Sequence, residues 1–152
     1  MDYEKLYDVA EVELWYKANR PPENSPRIQS SADAYKLFLR VWDDKTLDFS
    51  EEFKVIYLNR RGRVLGVASV SKGGYSSTVV DPKVVFAGAL KARASAIILG
   101  HNHPSGAISP SELDKELTKQ LVKGGKFLNL PIQDHIIVTR NAYYSFADEL
   151  LL

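Results

Sequence analysis

Apolar residues recur at helical spacing through the first part of the chain and then, from Glu51, shift to the closer alternation of strands. The segment YEKLYDVAEVELWYKAN places Leu6, Val9, Ala10, Val12, Leu14 and Trp15 at near-helical intervals, and the prolines of PPENSP end it. An N-terminal helix and a short linker are expected there. SSADAYKLFLRVW opens with capping residues and sets Ala34, Leu37, Phe38 and Val41 on one face, which predicts a second helix. EEFKVIYLN and RVLGVASV, rich in β-branched and aromatic residues, flank the polar turn RRGR and predict a β-hairpin.

Beyond SKGGYSS, which reads as a flexible loop bordering a groove, Asp81 can cap a helix with Pro82 in its first turn, ending near Ala94. SAIILG is a short apolar run suited to a buried strand, with His101 at its C-terminal end. A further helix is expected with Ser109 as N-cap, Pro110 at its first position and Glu112 completing a capping box. It would stop near Lys123, at Gly124 and Gly125. PIQDHIIVT predicts a last strand, and NAYYSFADELLL a tail with a short helix. The mixed order predicts an α/β (α+β) domain with helices packed on a central sheet.

Composition narrows the chemistry more than the class. With 152 residues, 45% hydrophobic and 26% charged, the chain has the make-up of one globular domain. Lysine and arginine (20) nearly cancel aspartate and glutamate (19), so no strong field favours nucleic acid. Arg60, Arg61 and Arg63 could form a local basic patch but read more simply as a charged turn. Without cysteine, any metal must be held by histidine, aspartate or glutamate. No signal peptide or membrane span is visible, and the cytoplasm is the expected location.

The stretch GHNHPSGAISPSELD holds two of only three histidines, two residues apart. Side chains at i and i+2 of an extended segment point to one side, so His101 and His103 can face one ion. Asp114 is expected in the second turn of the following helix, on the face that carries Ser111. Two imidazoles and a carboxylate form a three-ligand set, with which zinc keeps a fourth position open for water. An open position points to catalysis by an activated water, with a carboxylate nearby to take its proton.

The spacing His-x-His, seven residues, Ser-x-x-Asp resembles the JAMM signature, also called MPN or JAB-domain. More closely, HNHPSG, SPSELD, DHIIV and YYSFAD resemble the RadC family over roughly Phe49 to Leu152. This resemblance implies a JAMM/MPN-like (cytidine-deaminase-like) three-layer fold, a curved mixed sheet between helices. It divides the chain into residues 1–48, an N-terminal helical extension and linker, and residues 49–152, the RadC-like domain. It implies zinc on His101, His103 and Asp114, Ser111 as oxyanion or water partner, and a glutamate at the start of an upstream strand as general base. Glu51 and Glu52 face opposite sides of a strand, and the family's Glu-x-Phe pattern selects Glu51. The expected activity is zinc-dependent hydrolysis of a peptide or isopeptide bond in a peptide or protein substrate. The family is named for DNA repair, and the alternative is a DNA-repair or mobile-element interaction module that keeps the metal-binding fold; a metal-dependent nuclease is a weaker option still. RadC proteins commonly carry a longer N-terminal helical region than the roughly fifty residues that precede the domain in this sequence, and ADELLL stands where their usual glycine-containing ending would be.

Other residues read more plainly. His135 is expected as a hydrogen-bonded structural histidine rather than a fourth ligand. Asn102 and Ser105 could line a cleft, though turn chemistry explains them equally well. Tyr3, Leu6, Leu14 and Trp15 could pack on a partner chain, and the oligomeric state stays open.

Overall fold

The computed structural model describes residues 10, 12, 13, 15–73 and 79–152. Its elements are α1 (Ser31–Val41), β1 (Glu52–Leu58), β2 (Val64–Lys72), α2 (Pro82–Lys91), β3 (Ala96–Asn102), α3 (Glu112–Phe127), β4 (Ile132–Val138) and β5 (Tyr143–Ser145). The strands form one mixed sheet in the order β2-β1-β3-β4-β5. Only β3 and β4 run parallel. A parallel neighbour cannot be reached by a tight turn, so the chain crosses over through α3.

Strand alternation sorts the apolar residues into two layers. Phe53, Val55 and Tyr57 of β1 and Ile97 and Leu99 of β3 meet Val85, Phe86 and Ala89 of α2 and Leu121 of α3. Ile56, Leu58, Ile98, Ile136 and Val138 meet Ala34 and Phe38 of α1 and the following Trp42 on the other face. The expected arrangement of helices on both faces of a mixed α+β sheet is what the structure has. Among the described residues no helix is long and apolar enough to cross a membrane.

Local chemistry accounts for the ends of the helices. Ser30 and Asp33 close a capping box on α1, and Asp81 caps α2 with Pro82 at its first position. Val41 turns to solvent and Trp42 is buried in its place, because α1 ends there and the chain becomes extended. α2 stops at Lys91, short of Ala94, where Arg93 takes a left-handed conformation.

Several sequence expectations are corrected. α3 is capped by Ser111 and not Ser109: Ser111 Oγ accepts the Asp114 amide at 3.1 Å while Asp114 Oδ2 accepts the Ser111 amide at 2.7 Å. SPSELD contains two overlapping capping boxes, and the reciprocal one formed by Ser111 and Asp114 sets the start. Asp114 therefore lies in the first turn of α3. The helix also runs through Gly124 and Gly125 to Phe127. Those glycines serve close packing: a Cβ on Gly124 would lie 2.8 Å from the Phe86 ring, and one on Gly125 would strike the Leu130 carbonyl. Asn129, in a left-handed conformation, makes the turn instead.

YYS pairs with β4 as the edge strand β5, and the tail beyond it forms turns rather than a helix. The helix expected from Tyr3 to Asn19 lies mostly outside the described residues, and its described positions carry no helix. Residues 74–78, with Gly74, likewise lie outside them.

Candidate metal centre

β3 carries His101 into the sheet and leaves His103 just past its end, on the same side, towards α3. Register places Phe53 of β1 opposite His101. Glu51, two residues before Phe53, therefore shares the face of the histidines. The box at the start of α3 turns the Asp114 carboxylate back towards them. One ligand atom from each of Glu51, His101, His103 and Asp114 lies within 4.8 Å of all the others, although the first and last stand 63 positions apart in the chain.

The contacts inside this cluster are short. His101 Nε2 lies 2.9 Å from His103 Nε2 and 3.3 Å from Asp114 Oδ1, and His103 Nε2 lies 3.6 Å from Asp114 Oδ2. His103 Nδ1 donates to the Ala107 carbonyl at 2.7 Å, which can only accept, so in the neutral ring Nε2 presents a bare lone pair. Electron-rich atoms held this close need a cation between them, either protons or a metal ion. Two imidazoles with carboxylates are a donor set that a divalent metal ion accepts.

The electrostatics follow from burial and these contacts. Burial pushes the Glu51 carboxyl up, against the pull of His101 and His103. Burial also works to raise Asp114, but the hydrogen bonds that the His101 and His103 rings give it in their protonated forms outweigh burial and hold the group far below the usual carboxylate range. For His103, burial acts downward, and the Asp114 and Ala107 hydrogen bonds overcome it to raise the ring. His135, fully buried, is held well below the ordinary histidine value first by loss of solvent and then by electrostatic repulsion from the neighbouring ring of His101.

The remaining candidates sort clearly. Ser111 is the N-cap of α3; its oxygen accepts from Asp114, and its proton stays available for another acceptor. Glu52 faces away, towards α1, and pairs with Lys54 at 3.1 Å. Asn102 does not line the site: it is fully buried on the opposite face of β3, hydrogen-bonded to the segment that leads into β1. His135 is hydrogen-bonded, to His101 and Thr118. Thr118 was missed by the sequence reading, and its only signal is its place four residues after Asp114. Arg60, Arg61 and Arg63 lie at the other end of β1 from Glu51, where Arg63 donates to the Ser25 carbonyl.

Comparison with known proteins places the chain in a family. The model of the RadC-like JAB domain matches residues 28–151. UPF0758 proteins are similar over most of the chain: from Flavobacterium johnsoniae at 42% identity over 81% of it, and from Porphyromonas gingivalis at 38% over 87%. That of Chlorobaculum parvum is 36% identical over 97%. The chain spans 52%, 59% and 66% of the lengths of these three relatives. With a family match over nearly all the described residues and relatives of this identity, the chain belongs to the RadC-like JAB-domain family.

Proposed function

We propose that the chain is a zinc-dependent hydrolase that cleaves a peptide or isopeptide bond. The observation that carries this reading is the convergence of Glu51 with His101, His103 and Asp114 at one point. His101, His103 and Asp114 would hold the ion, leaving a coordination position open. A zinc ion held there would supply Lewis acidity and would bring the pKa of water beside it towards neutral.

The chain's own residues supply the rest. Glu51, buried and raised in pKa, accepts a proton from the water as its oxygen attacks the carbonyl carbon, then delivers it to the leaving nitrogen as the C–N bond breaks. Ser111 donates its hydroxyl proton to the carbonyl oxygen as negative charge gathers there. A peptide or protein substrate fits this chemistry, and the near balance of charge over the whole chain gives nucleic acid no comparable support.

The test is metal content and turnover together. Purified chain should carry near one zinc ion, and Asp114→Ala should lose most of it. Glu51→Gln should keep the ion yet fail to cleave peptide and isopeptide substrates that the wild type cleaves. A wild type that stays metal-free when zinc is supplied, or a Glu51→Gln variant with full activity, would overturn the reading.

A further inference from the structure

His135 lies behind the site, where no substrate can reach it: its ring is fully buried, stacked on Phe146 at 4.7 Å and against the edge of Phe53 at 5.5 Å. Both of its nitrogens are engaged. Nε2 lies 2.8 Å from His101 Nδ1, and Nδ1 lies 2.7 Å from Thr118 Oγ1. The direction of these bonds follows from the last group in the series. Thr118 donates its only hydroxyl proton to the Asp114 carbonyl at 2.6 Å, one helical turn back. Its oxygen can therefore only accept from His135, which places the proton of the neutral ring on Nδ1. His135 Nε2 is then a lone pair, and it accepts the proton on His101 Nδ1. What remains on His101 is a bare Nε2, the atom that faces His103 and Asp114.

We propose that Thr118 and His135 form a hydrogen-bond relay, anchored on the Asp114 carbonyl, that fixes the tautomer of His101 so that Nε2 is kept for the metal ion. The proposal rests on the metal-centre reading above and adds to it two positioning residues. His103 obtains the same result from a backbone carbonyl, whose polarity cannot change. His101 has an imidazole as its partner, which could point its proton either way, and Thr118 removes that choice. Partners of this kind behind a ligating histidine set ring orientation and tautomer and strengthen binding.

Thr118→Val tests the relay, because it removes the hydroxyl at nearly constant volume, while Thr118→Ser restores it. Two readouts are taken: ring ¹⁵N spectra of the metal-free chain at pH 9, and zinc affinity by competition with a chromophoric chelator. Wild type and Thr118→Ser should show His101 and His135 protonated at Nδ1. In Thr118→Val, His135 has no acceptor at Nδ1, so its proton should move to Nε2 and drive the His101 proton onto its own Nε2. Zinc affinity should fall about 10–100-fold in Thr118→Val and recover in Thr118→Ser.

A wild-type spectrum with His135 protonated at Nε2 would overturn the relay without any variant. Unchanged zinc affinity in Thr118→Val would overturn it too. Should the wild type bind no zinc at all, the hydrolase reading falls, and the metal-free spectra still decide the relay.

Discussion

Asn102 accepts the Glu52 amide proton at 2.7 Å from the face of β3 opposite His101 and His103. The same side chain donates to the carbonyls of Leu47 at 2.7 Å and Ser50 at 2.9 Å. One buried amide thus ties β3, which carries the histidines, to the segment that delivers Glu51. Asn102→Ala would orphan three backbone groups and should cost at least about 2 kcal/mol. Asn102→Asp should cost more at pH 7, since it aims a carboxylate at two carbonyl oxygens, and the gap between the variants should narrow at pH 4.5 as the acid regains a proton. Urea unfolding of both variants at the two pH values checks this. Equal losses at both would mean that the carbonyls do not face that group.

Adjacent glutamates have unlike roles. Glu52 is 1% exposed and Lys54 6% exposed, paired beneath Trp42, whose ring centroid lies 5.1 Å from Lys54 Nζ. Ser69 accepts a further bond from Lys54. Glu52→Gln leaves a buried ammonium without its counter-charge and should cost on the order of 3 kcal/mol, and adding Lys54→Met should recover most of that loss. Glu51→Gln, which removes a carboxylate that burial disfavours, should be close to neutral in stability. Equal stability of the two single variants in denaturant unfolding would contradict this division.

The pattern of what the sequence made legible follows from where each signal resides. The β1–β2 hairpin, the Pro82 helix and the SAIILG strand depend on residues close in sequence, and local periodicity was enough for them. β5 is three residues long and exists through its pairing of Tyr143, Tyr144 and Ser145 with β4, a contact that no local pattern announces. Gly124 and Gly125 read as helix stops because the Phe86 ring packed on the first is remote in sequence, and the Leu130 carbonyl meets the second only after the chain has turned back at Asn129. In the site, the spacing of His101 and His103 predicted their shared face, and SPSELD predicted a capped helix start but set it at Ser109, two residues ahead of the Ser111 cap that forms. The approach of Glu51 depends on the register of β1 against β3, and the His101–His135–Thr118 series on three separate elements. Neither is visible in spacing alone.

Gly100 precedes His101 on β3 and faces α1, where an added Cβ would collide with the Phe38 ring. Phe38 is fully buried and held from all sides, so it cannot yield freely. Gly100→Ala should therefore destabilise by about 1–3 kcal/mol, and Phe38→Leu in the same chain should return part of the loss by making room. Unfolding midpoints of the two single variants and the double variant measure the coupling. Strict additivity would show that the two positions do not compete for the same space.

The last prediction concerns the sign of the pH dependence with and without metal. In the metal-free chain His103 is raised above its ordinary 6.5: burial opposes this, and the hydrogen bonds to Asp114 and Ala107 outweigh it. A raised histidine contributes stability that is complete below pH 6.5 and lost as pH climbs through the folded-state value. His135 is depressed, so its contribution is lost only as pH falls below 6.5, and it adds no slope above. Glu51 and Asp134, both raised by burial, can only add to the decline as pH rises. Stability of the chelator-treated protein should therefore fall between pH 6.5 and 8, and fall less in Asp114→Asn, which removes the group that raises His103. With zinc present the sign should reverse, because binding displaces the His103 proton and strengthens as that proton leaves, by up to about tenfold per pH unit. Thermal unfolding across this window, with chelator and with zinc, measures both slopes. A metal-free wild type whose stability is flat or rising from pH 6.5 to 8 would refute the charged pairing of His103 with Asp114.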